Sequence, residues 1–148
     1  MSGSLTHSPA DVIRYLLIDL SLGTLPSASG DWPIIANREL DSPDNLITVF
    51  DTAGLRNGRV ADGEVQEHEG FQIRVRAGTQ TVGQAKINAI KQAIDNSVLN
   101  KSVVIGASTY IVYAISRRSG PFYLGQDVET SKRIVFTINA VVALRQTI

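Results

Sequence analysis

The chain has 148 residues, of which 43% are apolar and 19% charged, and its 14 basic residues balance its 14 acidic ones. This length suits one domain with enough interior to fold without disulfides, and the absence of cysteine excludes thiolate metal sites and Cys nucleophiles. Neutrality is not typical of a generic nucleic-acid binder, and no apolar run approaches the roughly 18 residues of a membrane span. With no secretion signal at the start, we expect a soluble single domain over residues 1–148, made in the cytoplasm.

The first predicted element is a helix that begins after Ser8. Ser8 suits the N-cap, Pro9 the first turn and Asp11 the third position after the cap. Apolar residues then recur at helical spacing, and Gly23 is expected to end the helix. Residues 1–7, which include His7, are expected to form a flexible N-terminus.

A long loop is predicted over residues 27–44, where turn-forming residues are dense. Such a long irregular stretch inside a domain is uncommon and is often functional. Trp32, the only tryptophan, is interpreted as a plug at the edge of the core, with contact to a partner as the alternative.

Two β runs follow and can pair as a hairpin. Residues 46–50 are rich in branched and aromatic side chains, and residues 71–76 alternate, with Phe71, Ile73 and Val75 facing inward. The polar segment between them predicts a long loop over residues 53–69.

The rest of the chain predicts a second helix and three more strands. Thr81 and Gln84 suggest a capping box for a helix that runs to about Asn96. Strand patterns occupy residues 102–106, 109–116 and 134–143, and the last is apolar on both alternating sets, which is typical of a central strand. A third long loop is predicted over residues 117–133. The predicted fold is a single α+β domain in the order α-β-β-α-β-β-β, whose mostly antiparallel or mixed sheet of about five strands carries two principal helices.

Catalytic chemistry finds little support in the sequence. The motif from Asp51 to Gly54 follows a strand, as in nucleotide-hydrolysing proteins, but the chain has no phosphate-cradling Gly-x-x-x-x-Gly-Lys-Ser/Thr loop. The motif also resembles the Asp-Thr-Gly of aspartic proteases, but an alanine interrupts it and a second carboxylate would be needed. The favoured interpretation is a turn in which Asp51 bonds its own backbone.

Metal and hydrolase sites are also weak predictions. His68 lies between Glu67 and Glu69, yet adjacent residues on a strand point to opposite faces, so a solvated loop end is favoured over a metal site. No Gly-x-Ser-x-Gly elbow is present. We therefore predict no catalytic, metal or cofactor-binding residue, and no enzyme.

The most unusual predicted surface is a stripe formed by Gln72, Arg74 and Arg76 on one strand face. A solvated face with Arg stems covering apolar surface is one interpretation. The other is an interface in which arginines pair with carboxylates of a neighbouring copy. The candidate interface residues are polar or charged and lie on this strand or in the polar loops: Arg56, Arg59, Glu64, Glu67, Glu69, Gln72, Arg74, Arg76, Asp127 and Glu129.

Several of these segments resemble the phage minor capsid family of tail terminator proteins. The strand Glu-His-Glu-Gly-Phe-Gln-Ile-Arg-Val-Arg-Ala at residues 67–77 precedes a helix Gly-Gln-Ala-Lys-Ile-Asn-Ala-Ile at residues 83–90, as in that family. The segment Gly-Pro-Phe-Tyr-Leu-Gly-Gln-Asp at residues 120–127 and the strand Phe-Thr-Ile-Asn at residues 136–139 are similar to its C-terminal part. The resemblance spans residues 44–144 and the leading helix, without residues 53–65 and the loop around Trp32.

The resemblance implies a structural role. Tail terminators of long-tailed phages form a hexameric ring that caps the head-proximal end of the tail tube, ends tube polymerisation and offers a docking surface to the head-side connector. The expected partners are other copies in a homohexamer, the major tail tube protein, and the head-side connector or stopper protein. Viral DNA would pass through the lumen without sequence-specific binding, and no membrane is involved. The expected location is the neck of the virion, at the top of the tail, after synthesis in the host bacterial cytoplasm.

Two alternatives stay open at this point. One is a head-completion or neck adaptor protein on the portal side of the same joint. The other is a nucleotide-dependent enzyme that acts through Asp51.

Overall fold

Two helices and six strands make up the described part of the computed structural model, which comprises residues 5–25, 32–40, 44–59, 65–126 and 133–147. In chain order they are α1 (Pro9–Asp19), β1 (Ile34–Ala36), β2 (Leu46–Arg59), β3 (Val65–Ala77), α2 (Gln80–Asn96), β4 (Leu99–Ile105), β5 (Ser108–Gln126) and β6 (Ile134–Gln146). The strands form one mixed sheet in the order β1-β2-β3-β6-β5-β4. Among these described strands, β1 and β2 alone pair in parallel. The predicted α+β class is confirmed, with six strands instead of about five.

The additional strand is β1, which lies inside the loop predicted over residues 27–44. Its three residues pair with residues 47–49 of β2, and the Ile47 N–H donates to the carbonyl of Pro33 at 3.0 Å. Three residues are too few to show an alternating pattern, so the strand is defined only by its pairing with β2. The loop prediction is wrong at these residues.

Three strands extend into segments that were predicted to be loops. β2 and β3 include residues 53–59 and 65–69, and β5 continues through residues 117–126, including a cis peptide bond between Gly120 and Pro121. Ladder hydrogen bonds join backbone groups and do not require apolar side chains, so polar sequence can continue a strand beside a paired neighbour. Register shifts in the β5–β6 pairing accommodate the Gly-Pro step. The predicted hairpin pairing is confirmed, with Phe50 opposite Gln72.

Helix α1 begins as predicted and ends earlier than predicted. The Ser8 hydroxyl accepts a hydrogen bond from the Asp11 N–H at 3.2 Å. The last helical residue is Asp19, so Gly23 does not end the helix. A Cβ at Gly23 would lie 2.5 Å from the carbonyl oxygen of Trp32, so glycine is required there by the close approach of the chain that enters β1.

Helix α2 has its N-cap at Thr79, where the hydroxyl accepts from the Val82 N–H at 3.3 Å. The predicted capping box at Thr81 is therefore wrong, because the helix starts as soon as the chain leaves β3 and Thr81 already lies inside it. The predicted end at Asn96 is confirmed. The buried face of the helix consists of Gly83, Ile87, Ile90 and Ile94.

The core lies between the helices and one face of the sheet. On β3 the inward residues are Phe71, Ile73, Val75 and Ala77, all fully buried, as the alternation predicted. β6 lies between β3 and β5 and is central, as expected. Successive residues 135–138 of β6 are all buried, so both faces of the sheet are covered at that end of the strand.

The N-terminal segment is bonded to the sheet where it is described. The Thr6 N–H donates to Gln146 Oε1 at 2.8 Å, and Gln146 Nε2 donates to Thr6 Oγ1 at 2.9 Å. His7 Nδ1 lies 2.6 Å from the hydroxyl oxygen of the fully buried Tyr110, which needs a polar partner there. Residues 5–7 thus have partners on the sheet, the flexibility of the N-terminus stays a prediction, and residues 1–4 lie outside the described part. Among the helices so described, none is long and apolar enough to cross a membrane.

Candidate subunit interface

The predicted stripe of Gln72, Arg74 and Arg76 lies on the face of β3 opposite the core. These residues alternate with the buried Phe71, Ile73 and Val75, so their side chains share the outer face. The structure therefore brings the three stripe residues together as predicted, but their surroundings differ from a solvated surface.

Arg76 is buried and is not part of an exposed surface. Its side chain and backbone together are 3% exposed, and its Nε donates to the carbonyl oxygen of Asp44 at 3.3 Å. Its register partners, Leu46 on β2 and Val135 on β6, are also buried. The prediction of an exposed Arg76 is wrong, because the chain that enters β2 passes over this end of the outer face.

The side chain of Arg74 stays partly exposed to solvent. Its Nε lies 3.1 Å from Oε1 of Glu39 in an electrostatic contact that lacks hydrogen-bond geometry. The Arg74 side chain is 32% exposed and that of Glu39 is 27% exposed. The carboxylate expected from a neighbouring copy is thus supplied by the same chain in the protomer.

Asp44 supports a second buried guanidinium on the same side of the sheet. Arg133 is 4% exposed, and its Nη1 lies 3.9 Å from Asp44 Oδ1. Glu39, Asp44 and Arg133 were missed as functional candidates because they fall in segments predicted as loops. No local pattern marks them, since their contacts join residues far apart in sequence.

Gln72 belongs to a polar network across three strands. Its Nε2 donates to Asn139 Oδ1 at 3.0 Å, and Asn139 Nδ2 donates to Ser119 Oγ at 3.1 Å. β3, β6 and β5 are therefore linked by side chains on the outer face in addition to their ladders.

The other candidate residues lie away from this face or outside the described part. Arg56 and Glu67 are register partners near the far end of the β2–β3 pair, and Arg59 pairs with Val65. Glu69 is half-buried on β3. The side chains of Arg56, Arg59 and Glu67, and the whole of Glu64, Asp127 and Glu129, lie outside the described residues. Pairing between the stripe and these acidic residues stays a prediction.

Asp51 connects β2 to the start of α1. Its Oδ1 accepts from the Ala10 N–H at 2.8 Å, and its Oδ2 accepts from Asn37 Nδ2 at 2.7 Å. Asn37 Oδ1 accepts from the Asp51 N–H at 2.9 Å. The predicted turn at Asp51 is wrong, because β2 continues past it and the carboxylate occupies a helix N-terminus, where negative charge is favourable.

Trp32 packs against the core edge, as the plug interpretation predicted. The Lys86 Nζ lies 5.1 Å from the centre of its ring and donates to the Leu22 carbonyl oxygen at 3.0 Å. Burial lowers the pKa of Lys86 below its ordinary value.

In the described ranges of the chain, no group of three or more His, Asp or Glu side chains is arranged to hold a metal ion.

Apolar side chains are exposed at one edge of the sheet. On β4, Leu99 is 72% and Val104 58% exposed. On β5, Phe122, Tyr123 and Leu124 are each about half exposed. Sequence reasoning missed the three residues on β5 by placing residues 117–133 in a polar loop, although three consecutive apolar residues were a usable signal.

The family model for the bacteriophage tail terminator protein matches residues 16–145. The chain belongs to the bacteriophage tail terminator family. This confirms the resemblance and gives this tail terminator family member a structural role in completing the phage tail.

Other comparisons add little to this assignment. No curated protein matches the chain. Among solved structures, a chain of one titled "Virion of native gene transfer agent (GTA) particle" is similar at 10% identity and a TM-score of 0.43, over 75% of this chain and 78% of that chain.

Proposed function

We propose that this chain forms a homohexameric ring that caps the head-proximal end of the tail tube, ends tube polymerisation and receives the head-side connector. The observation that carries the proposal is the family match over residues 16–145. The bonding of Asp51 is further support for a structural role, because both carboxylate oxygens are engaged by the protein itself.

The proposed ring is built through two different patches on each copy. Cyclic symmetry with more than two subunits requires such a heterologous contact. Within the stripe, Gln72 and Arg74 are accessible enough to contribute to this contact, whereas Arg76 is buried and bonds within its own chain. The remaining charged candidates proposed for the contacts are Arg56, Arg59, Glu64, Glu67, Glu69, Asp127 and Glu129.

The proposed location is the neck of the virion. One rim of the ring would contact the tail tube protein and the other the head-side connector, with viral DNA passing through the lumen. The balance of 14 basic and 14 acidic residues supports a conduit, because a strongly basic lining would bind the DNA that passes.

Negative-stain imaging with native mass spectrometry of the purified protein tests the ring. We expect six-fold rings with a central hole and the mass of a hexamer. Labelled protein should be found on isolated tails. Its presence on heads instead would favour the head-completion alternative, and a persistent monomer at high concentration would contradict the ring.

The contribution of Arg74 to assembly has a direct test. Arg74→Glu should reduce the hexamer fraction at least several-fold in native mass spectrometry, because it places like charges at the contact. Lys91→Glu, which makes the same charge change on α2, is the matched control and should leave the ring intact. An unchanged hexamer in Arg74→Glu would remove Arg74 from the interface.

A further inference from the structure

The uncovered stretches of sheet edge in the described part of the chain include one on each side of the sheet. On one side, β4 is the last strand and pairs only with β5. On the other side, β1 covers β2 at residues 47–49 and Asn37 extends this contact to Asp51, so β2 from Thr52 onward pairs only with β3. An uncovered edge presents backbone N–H and C=O groups that can pair with another strand.

The β4 edge is suited to strand pairing. Its register with β5 runs from Leu99 opposite Ala114 to Ile105 opposite Ser108 without a shift, and its one residue with a positive φ is Asn100. The uncovered stretch of β2 and the uncovered tail of β5 both carry register shifts, but the tail of β5 also contains Pro121, which has no N–H to donate to another strand. One lysine, Lys101, lies on β4. The exposure of Leu99 and Val104 adds apolar surface that a partner would bury.

The two uncovered edges lie at the same level of the sheet. The register can be followed across all intervening strands. One row reads Leu55, His68, Ala143, Ala114 and Leu99. The next reads Arg56, Glu67, Leu144, Val112 and Lys101. Leu55 and Arg56 of β2 therefore stand level with Leu99 and Lys101 of β4, on the opposite edge.

We infer that neighbouring copies join edge to edge, with β4 of one copy pairing with residues 55–59 of β2 in the next. The inference rests on the proposed ring and names its contact. The occupant is a second copy because the complementary edge belongs to this same chain, at the same level. The chain of antiparallel pairings makes β2 parallel to β4, so the new contact is a parallel pair.

Level edges favour closure of a ring. A neighbour placed beside the first copy needs no displacement along the strands to bring its β2 against β4. A heterologous contact closes into a ring when its rotation returns to the first copy, and a displacement at each step gives a helical filament instead.

Cysteine cross-linking tests the contact, since the chain has no natural cysteine. In a variant with both Leu55→Cys and Leu99→Cys, the paired rows bring the two positions within the Cα separation of about 4.4–6.8 Å that a disulfide needs. Oxidation should give a ladder of covalent multimers up to the hexamer on a non-reducing gel. Each single variant should run as a monomer on the same gel, because it has no partner cysteine at the contact. The pair Leu55→Cys with Asn88→Cys, an exposed position on α2, is the matched control.

Hydrogen exchange of the unmodified protein provides a second measurement that does not depend on a variant. Amides of residues 99–105 that point away from β5 should exchange at least tenfold more slowly in the ring than in the dissociated protomer. Those at the uncovered edge of residues 115–126 should not change.

The outcomes separate the two proposals. Rings without a ladder and without protection of β4 would overturn the edge contact and leave the ring standing. Disulfide-linked dimers from Leu99→Cys alone would show that β4 pairs with β4 across a two-fold axis. That result would also overturn the contact between β4 and β2. The absence of rings in the unmodified protein would overturn the proposed function together with this contact.

Discussion

Charged side chains on the outer face of the sheet and at the helix start are used to hold the protomer together. Arg76 bonds the chain at Asp44, Arg74 faces Glu39, and Asp51 accepts from the N-terminus of α1. Each contact joins segments that are distant in sequence. The arginines that suggested binding by type alone thus contact the segment before β2, and the aspartate that suggested catalysis bonds the start of α1.

Asp51→Ala should destabilise the protein by about 1 kcal/mol, because the Ala10 N–H at the start of α1 loses its acceptor. Asp51→Asn should lose less stability, since its side chain keeps one oxygen that can accept a hydrogen bond. Urea denaturation measures both. A rise in melting temperature on addition of GTP and Mg²⁺ to the unmodified protein would contradict this structural role, because a ligand that binds the folded state stabilises it.

Arg76→Glu should destabilise the protomer by about 3–5 kcal/mol, because it buries a carboxylate where a guanidinium was bonded. Arg74→Glu, at the partly exposed neighbouring position, should cost within about 1 kcal/mol. Comparable urea midpoints for the two variants would be inconsistent with the burial of Arg76.

At the scale of elements, α2 lies very close to the sheet at its first turn. A Cβ at Gly83 would lie 2.9 Å from Cε2 of Phe136 and 3.1 Å from Cβ of Ala77. Tyr123, the register partner of Phe136 on β5, packs beside it, with its ring centre 5.6 Å from that of Phe136. Phe136 is 2% exposed, so its ring has little free space into which to move from the helix.

Gly83→Ala should destabilise the protein by about 1–3 kcal/mol through overpacking, although Gly→Ala inside a helix is ordinarily stabilising by about 1 kcal/mol. Asn88→Ala, at an exposed position of the same helix, should be neutral or slightly stabilising. Thermal unfolding of both variants provides the comparison, and stabilisation by Gly83→Ala would contradict the close contact.

At the scale of the whole molecule, the two edges of the sheet differ in how they are covered. β1 covers part of β2, and the tail of β5 is interrupted by register shifts, yet β4 and the far half of β2 are uncovered among the described strands. A cyclic assembly requires a contact between two unlike patches, and the two unlike edges at one level provide such a pair. The family role and the sheet geometry thus favour the same kind of assembly.

Assembly should make the melting temperature rise with protein concentration, because subunit association stabilises only the folded state. Scans over a hundredfold range of concentration, with the mass determined by analytical ultracentrifugation at each, measure the effect. A constant melting temperature together with the mass of a monomer throughout would contradict the ring.

Much of the fold was predictable where the signal is local. The Ser8 cap, the alternation around Phe71 and the apolar pattern of β6 depend on neighbouring residues, and all three predictions are confirmed. The β1 strand and the extended ends of β2, β3 and β5 were missed, since those backbones are ordered by pairing with strands elsewhere in the chain. The same reason explains the wrong exposure of Arg76.

The amino-acid sequence by itself determined the α+β class, the hairpin of β2 and β3, and membership of the tail terminator family, because periodicity and motif order are properties of the chain alone. Only the tertiary structure decided which charges are available at the surface and which edges of the sheet are uncovered. Burial of Arg76 and the alignment of Leu55 with Leu99 depend on how distant segments pack and pair, and no local pattern encodes that.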